Sequence, residues 1–308
     1  MRKSVIYLFL FSLLLTAYAQ NFEAQRLLRF GDSLFQEGDY LNAIHEYKRY
    51  LFLYPDANKR DLVQFSLSAS YQNAGQLNEA IAAYRTLVDT YPQSPLIERS
   101  KSNIAQCQLL QGEDAMAIGG LKQFLSDHPN GALAPRAQFT IGLIQMDNRD
   151  WKLASEAWQQ VRAKYPQSTF AAMSERLAHT VRRGESLPRR SPAIGGLLSA
   201  VIPGLGQTYS GRFSDGLYSF IIVGVTGGGT AYYIGQEQYE VAIPLGVLAL
   251  FFHAGNVFGG YQSAKAFNLQ HEERFSEEMR AQIRESNLFG AVPTQSLNIS
   301  FTLWRQHF

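Results

Sequence analysis

The sequence predicts an all-α protein in which a solenoid of helical hairpins precedes a transmembrane helical domain. Two observations lead to this prediction. Four prolines recur at a spacing of 37 residues: Pro55, Pro92, Pro129 and Pro166. The residues around them recur with the same spacing. Farther along, residues 191–264 contain only four charged side chains: Arg212, Asp215, Glu237 and Glu240. A repeat region is therefore followed by a region that is apolar enough for a membrane.

Each repeat unit predicts two helices joined by a tight turn. Glycine adopts the left-handed backbone favoured after a helix, and the turn position holds Gly38, Gly75, Gly112 and, in the fourth unit, Arg149. Proline cannot continue a helix and so marks the end of each pair. A small and a large residue recur where the helices meet: Ala43 with Tyr47, Ala80 with Tyr84, Ala117 with Leu121, and Ala154 with Trp158. Four stacked pairs and a capping helix at residues 168–183 would bury this face.

The repeat pattern resembles the tetratricopeptide repeat over about residues 21–183. The motif positions of that family correspond here to Leu27, Phe30, Gly31, Leu34, Ala43, Tyr47, Tyr50 and Pro55 in the first unit, and to Leu67, Tyr71, Ala80, Tyr84, Leu87 and Pro92 in the second. The period of 37 residues exceeds the family norm of about 34, and Gln64 stands at an aromatic position. The extra residues follow the proline, as in repeats of bacterial envelope proteins.

The resemblance implies that ligands contact the first helix of each unit on the concave face. The matching positions are Gln72, Asn73, Arg99, Gln106 and Arg136. Arg99 and Arg136 are one period apart, so stacking would place two guanidinium groups on one face, where they can bind carboxylates of an extended peptide. Two solvated surface arginines are the alternative. The expected function is a protein–protein interaction scaffold of the bacterial envelope, with protein partners and no nucleic acid.

The first 20 residues predict a secretory signal. Arg2 and Lys3 precede an apolar run over residues 5–15, and Ala17-Tyr18-Ala19 offers a cleavage pattern. No Cys follows the run, so a lipoprotein anchor is not expected; an uncleaved anchor is the alternative interpretation. We therefore expect the repeats in the periplasm on the inner membrane, with outer-membrane association as the alternative location.

Three stretches after the linker at residues 184–190 are long enough to cross a bilayer: residues 191–211, 216–236 and 241–264. The last two predict transmembrane helices. Pro203, Gly204 and Gly206 interrupt the first, which fits either a crossing or a broken, re-entrant helix. Three crossings are preferred, because Arg212 and Lys265 would then both face the cytoplasm.

Small and polar residues in the last two stretches carry further expectations. Gly224 with Gly228, and Gly255 with Gly259, form two pairs that favour close packing within a helical hairpin or, alternatively, between two copies of the chain. His253 and Asn256 are strongly polar side chains within the last stretch. An interhelical hydrogen bond is the favoured interpretation, and a proton or ligand site is the alternative.

The membrane domain, residues 191–268, resembles bacterial TM2-like domains. The resemblance rests on residues 202–212, which read Ile-Pro-Gly-Leu-Gly-Gln-Thr-Tyr-Ser-Gly-Arg, and on residues 256–268. It implies an insertion in the membrane and no defined activity. An accessory role in membrane-protein biogenesis or transport is therefore the alternative function.

The remaining residues predict an amphipathic helix and an alternating tail. Phe275, Met279 and Ile283 recur every four residues, and residues 297–308 alternate as a strand does. Cys107, the one cysteine, suits a buried small hydrophobe. The six histidines lack metal-ligand spacing, and no nucleophile elbow or dinucleotide fingerprint occurs. The sequence therefore predicts no enzyme, no metal and no cofactor.

Overall fold

A computed structural model describes residues 22–286, and every regular element within them is helical. Helix α1 covers residues 22–36. The repeats continue with α2 (Tyr40–Leu53), α3 (Arg60–Asn73), α4 (Leu77–Thr90), α5 (Ile97–Leu110), α6 (Asp114–Asp127), α7 (Ala134–Asp147), α8 (Trp151–Lys164) and α9 (Ala171–Val181). The predicted signal, residues 1–20, and the strand-like tail, residues 297–308, lie outside the described residues.

The repeat period is present in the helix boundaries themselves. Helices α3, α5, α7 and α9 begin 37 residues apart, and α2, α4, α6 and α8 also end 37 residues apart, each two residues before its proline. The predicted fold class, an all-helical solenoid of tetratricopeptide-like hairpins followed by a long apolar helical region, is confirmed.

The turns have the predicted left-handed backbone, and this includes the fourth unit, where an arginine stands in place of the glycine. Gly38, Gly75 and Gly112 have φ angles of +83°, +75° and +75°, and Arg149 adopts +64° at the same position. A side chain in the left-handed region costs roughly 1–2 kcal/mol relative to the right-handed one. The geometry of the hairpin therefore determines this conformation even where the residue is unfavourable.

Close helix contacts form where the small residues recur. Ala43, Ala80, Ala117 and Ala154 are fully buried. The large residues one turn later are buried with them, and glycines on the facing helices make room for two of the rings. A Cβ atom on Gly31 would lie 3.0 Å from the ring of Tyr47. The predicted packing of the hairpins is thus confirmed.

The chain divides into two compact units, and the second consists of residues 145–155 and 176–286. Its elements after α9 are a 3₁₀ helix (Arg182–Ser186), α10 (Pro192–Val201), α11 (Leu205–Tyr209), α12 (Phe213–Gly235) and α13 (Tyr239–Glu285). Helices α12 and α13 are long and apolar enough to cross a membrane. The predicted amphipathic helix is not separate, because α13 continues without a break through Phe275 and Met279.

The first apolar stretch does not form a third spanning helix in the described part of the chain. It forms α10, with ten residues, and α11, with five. Ten residues measure about 15 Å, half of a bilayer core of about 30 Å. The break follows from Pro203, which lacks an N–H group, and from Gly204, which has a φ of +84°. The described residues thus contain two helices long enough to span a membrane and not the three that were preferred, and the broken-helix alternative fits the first stretch.

The glycines predicted to pack the hairpin of α12 and α13 do not lie at its contacts. Cβ atoms placed on Gly224, Gly228 and Gly255 would meet no atom within 4 Å. The register of the two helices turns these positions outward, so the helices approach each other elsewhere, at Gly229 beside Leu245 and at Gly246 beside Thr230. Gly259 does make a close contact, but with the side chain of Gln207. The alternative of packing between two copies of the chain stays a prediction.

Candidate functional site

An open groove with a volume of about 790 Å³ lies in the first unit. The first helices of successive hairpins, α1, α3, α5 and α7, supply most of its lining. All five residues that the sequence predicted for ligand contact line this groove: Gln72, Asn73, Arg99, Gln106 and Arg136. The 37-residue stacking brings them together from three different repeat units.

Two tyrosines from the second helices form part of the groove wall, and their hydroxyl groups are held by hydrogen bonds. The Tyr47 hydroxyl donates to Asp32 Oδ1 at 2.8 Å. The Tyr84 hydroxyl donates to Gln72 Oε1 at 3.0 Å and accepts from Asn103 Nδ2 at 2.8 Å. Burial raises the pKa of both tyrosines, so both stay neutral at physiological pH. The polar groups around these tyrosines are therefore fixed before any ligand arrives.

Two positive groups line the groove on α5 and α7. The Arg99 guanidinium lies 5.2 Å from the centroid of the Phe65 ring, a cation–π contact that orients it. Partial burial lowers the pKa of Arg136, and the charge of Arg99 lowers it further. The Arg136 guanidinium still remains protonated at neutral pH. Asp32, the one acidic residue of the lining, lies at the other end of the stack on α1.

The sequence did not single out Asp32 and Asn103. Asn103 lies four residues after Arg99 and three before Gln106, on the same helical face. That spacing would have identified it. Asp32 belongs to the first hairpin and has an alanine one period later, at Ala69, so no periodic signal marks it.

A second polar cluster lies in the second unit around Asn256. The Asn256 side chain accepts a hydrogen bond from the Gly204 N–H at 2.8 Å and donates one to the Ser199 carbonyl at 2.7 Å. Gln207 Nε2 donates to the backbone carbonyl of Asn256 at 3.1 Å, and the Ser199 hydroxyl donates to Gln207 Oε1 at 2.8 Å. Asn256 therefore makes interhelical hydrogen bonds, but they join α13 to the break between α10 and α11 and do not fix the hairpin of α12 and α13, contrary to the interpretation that the sequence favours.

His253 does not join this cluster. It is half-buried one turn before Asn256, and it makes no hydrogen bond within residues 22–286. Among those residues, no three His, Cys, Asp or Glu side chains converge as metal ligands would. Cys107 is fully buried, and burial raises its pKa to about 12. Its thiol is therefore protonated and unsuited to act as a nucleophile.

A match to a protein-family model agrees with this description of the repeats. The family model of the tetratricopeptide repeat matches residues 63–94, 103–131 and 136–168. No curated protein matches the chain significantly. A tetratricopeptide repeat protein from Parabacteroides merdae is similar in structure, with 13% identity and a TM-score of 0.43, over 90% of this chain and 98% of that one. A kinesin light chain from Podosopora anserina with nearly identical repeats shows 16% identity and a TM-score of 0.42, over 53% and 86%.

Proposed function

We propose that this protein is a membrane-anchored scaffold of the bacterial envelope whose repeat groove binds an extended, acidic segment of a partner protein. The observation that carries the proposal is the pair of arginines in the groove, Arg99 and Arg136, on adjacent repeat units. Tetratricopeptide repeats typically mediate protein–protein interactions and are generally not enzymes. The groove has the residues that such binding requires.

The lining favours a peptide over a compact small molecule. The amide side chains of Gln72, Asn73 and Gln106 can each donate to and accept from a peptide backbone. The two guanidinium groups can each form a bidentate pair with a carboxylate. Because Asp32 lies at the opposite end of the stack, the charges also favour one direction of the bound chain, with its acidic residues toward α5 and α7.

Anchoring in the membrane is supported by α12 and α13. In their most apolar windows, only 6% and 11% of the residues are buried. A core helix of a soluble protein would bury far more of its apolar face. The 23 residues of α12 measure about 35 Å, enough for a bilayer core of about 30 Å. The signal-like segment with Arg2 and Lys3 supports a periplasmic location of the repeats.

The groove can be tested by charge reversal in the full-length protein. A photo-crosslinking residue at Gln106 would capture the partner in cells, and we expect the double variant R99E/R136E to lose that capture. Its stability should change by about 1 kcal/mol or less, because both side chains are exposed and R99E removes only the cation–π contact with Phe65.

A matched control is available on the second helices. Arg85 and Lys122 are also one period apart and exposed, but they do not line the groove. The double variant R85E/K122E should retain the capture. Undiminished crosslinking by a folded R99E/R136E protein would instead place the binding site outside the groove.

The alternative, an accessory role in membrane-protein biogenesis or transport, depends on polar groups of the membrane unit. Asn256 already bonds to the backbone, which leaves His253 as the cleaner probe. We expect H253L to retain function if the groove is the site of action. Loss of function by H253L with normal membrane insertion would favour the alternative.

A further inference from the structure

We propose that α10 and α11 form a re-entrant hairpin, which enters and leaves the leaflet on the side of the repeats, so that the chain crosses the membrane only twice after residue 190. This inference rests on the proposed membrane anchoring and adds a lipid-facing surface to it. Its occupant is the acyl-chain region of one leaflet.

The apolar segment formed by α10 and α11 has its two ends, Ser191 and Tyr209, in contact with each other. The Ser191 N–H donates a hydrogen bond to the Tyr209 hydroxyl at 3.3 Å, although the residues are 18 positions apart. The ends of a spanning segment would be separated by the thickness of the bilayer core, about 30 Å. An apolar segment whose entry and exit lie within the length of one side chain cannot cross the membrane.

The segment also has a defined depth relative to α13. At its start, the Arg190 N–H donates to Asn268 Oδ1 at 2.7 Å, and Asn268 Nδ2 donates to the Arg190 carbonyl at 2.9 Å. At its turn, Gly204 reaches Asn256. The 12 residues of α13 between these contacts rise by about 18 Å. The turn of the hairpin therefore lies about 18 Å along α13 from its entry, beside Gly216 in the first turn of α12.

The break in the helix is sealed against lipid. An exposed irregular backbone does not occur in the hydrocarbon region, because its polar groups lack partners there. Here the Gly204 N–H and the Ser199 carbonyl bond to the Asn256 side chain. The Gly206 N–H donates to the Ser199 hydroxyl at 3.0 Å. The Gly204 N–H and the Ser199 carbonyl, two of the groups that the break releases from regular helix, are thus satisfied within the protein.

The outer face of α10 matches the acyl chains in chemistry. Its glycines, Gly195 and Gly196, lie against α13. The opposite face exposes large apolar side chains: Ile194, Leu197, Val201 and Ile202. At the entry, the Arg190 guanidinium lies 4.9 Å from the Tyr209 ring centroid and 5.4 Å from that of Phe267. Arginine and tyrosine at the mouth of an apolar segment are typical of the membrane–water boundary.

Contacts within the second unit fix the side to which α13 returns. Arg280 Nη2 donates to Asp147 Oδ1 at 2.7 Å, and Arg149 Nε lies 3.2 Å from Glu272 Oε2. The rings of Trp151 and Phe275 meet at 5.4 Å. Residues 147–151 form the turn between α7 and α8 and belong to the same unit as α13. The end of α13 is therefore on the same side of the membrane as this turn, which requires an even number of crossings.

Four single-cysteine variants distinguish the topologies. In a Cys107→Ala background of the full chain, we would place Cys at exposed positions with Ser186→Cys, Ser214→Cys, Gln238→Cys and Gln270→Cys. An impermeant maleimide is then applied to sealed vesicles and, separately, to lysed ones. We expect positions 186, 214 and 270 to be labelled from one side and position 238 from the other. Pairing of 186 with 238, against 214 with 270, would mean three crossings and would overturn the inference.

A depth measurement tests the re-entrant hairpin itself. A fluorophore on Leu197→Cys should be quenched by nitroxide-labelled lipids in the vesicles, whereas one on Ser186→Cys should not. Absence of quenching at position 197, with the labelling pattern of two crossings, would remove α10 from the leaflet. Release of the whole protein from vesicles by carbonate would instead refute membrane anchoring, and with it both proposals.

Discussion

The repeats and the second unit bring helices together by different means. In the repeats, large side chains such as Tyr84 and Trp158 are completely buried, each one turn after a fully buried alanine. In the second unit, which we propose to lie in the membrane, backbone approaches backbone: a Cβ on Gly195 would lie 2.5 Å from the carbonyl oxygen of Gly260. In water the burial of apolar surface drives helix association, whereas in lipid small residues and hydrogen bonds take that role. The same sequence feature, a small residue in register, therefore has different consequences in the two regions.

The largest expected effect in this comparison concerns Asn256. The substitution Asn256→Leu preserves the approximate volume but leaves the Gly204 N–H and the Ser199 carbonyl unpaired. Each buried unsatisfied group costs about 1–3 kcal/mol. We expect a clear loss of thermal stability in detergent, with His253→Leu, one turn away, close to the unsubstituted protein. Equal unfolding temperatures for the two variants would show that the bonds of Asn256 do not hold the hairpin.

An intermediate effect is expected at Ala80, in the repeats. This residue is fully buried at a helix contact, and Ala80→Phe should destabilise the protein by roughly 1–3 kcal/mol through overpacking. The control is Ala82→Phe, two residues later and exposed. Thermal unfolding of the two variants measures the difference. If Ala80→Phe were tolerated as well as Ala82→Phe, close apolar packing between helices would not be the interaction that stabilises the repeats.

The smallest effect concerns the turn at Arg149. Both Arg149→Gly and Arg149→Ala remove the ion pair with Glu272, so their difference isolates the backbone. Because φ is +64°, we expect the Gly variant to be more stable than the Ala variant by about 1 kcal/mol.

The same pair of substitutions at Arg85, within a helix, should show the opposite order. There Ala should be more stable than Gly by about 0.5–1 kcal/mol. Chemical denaturation of the four variants provides the comparison. An Ala preference at both positions would mean that the left-handed turn relaxes at little cost.

The repeats could be predicted from the sequence because every unit packs two helices in the same way, and the residues that this packing requires recur every 37 positions. The spacing of Ala43 and Ala80 gives the helix contacts, and the spacing of Arg99 and Arg136 gives two positions of the groove. The sequence of the second unit has no such period. The hydrogen bond between Asn256 and Gly204 joins residues 52 positions apart, and no local sequence pattern predicts it. Likewise, the spacing of Gly224 and Gly228 marks a face but does not tell which helix, if any, lies against it.

The length of α13 has a mechanical consequence. Its 47 residues form one helix of about 70 Å, and its proline, Pro244, lies near the start. The apolar part and the charged part therefore lack a joint between them and behave as a single rod. Membrane helices tilt when the thickness of the bilayer changes. In the proposed membrane-anchored arrangement, any such tilt of the apolar part moves Glu272 and Arg280, the residues that contact the turn between α7 and α8.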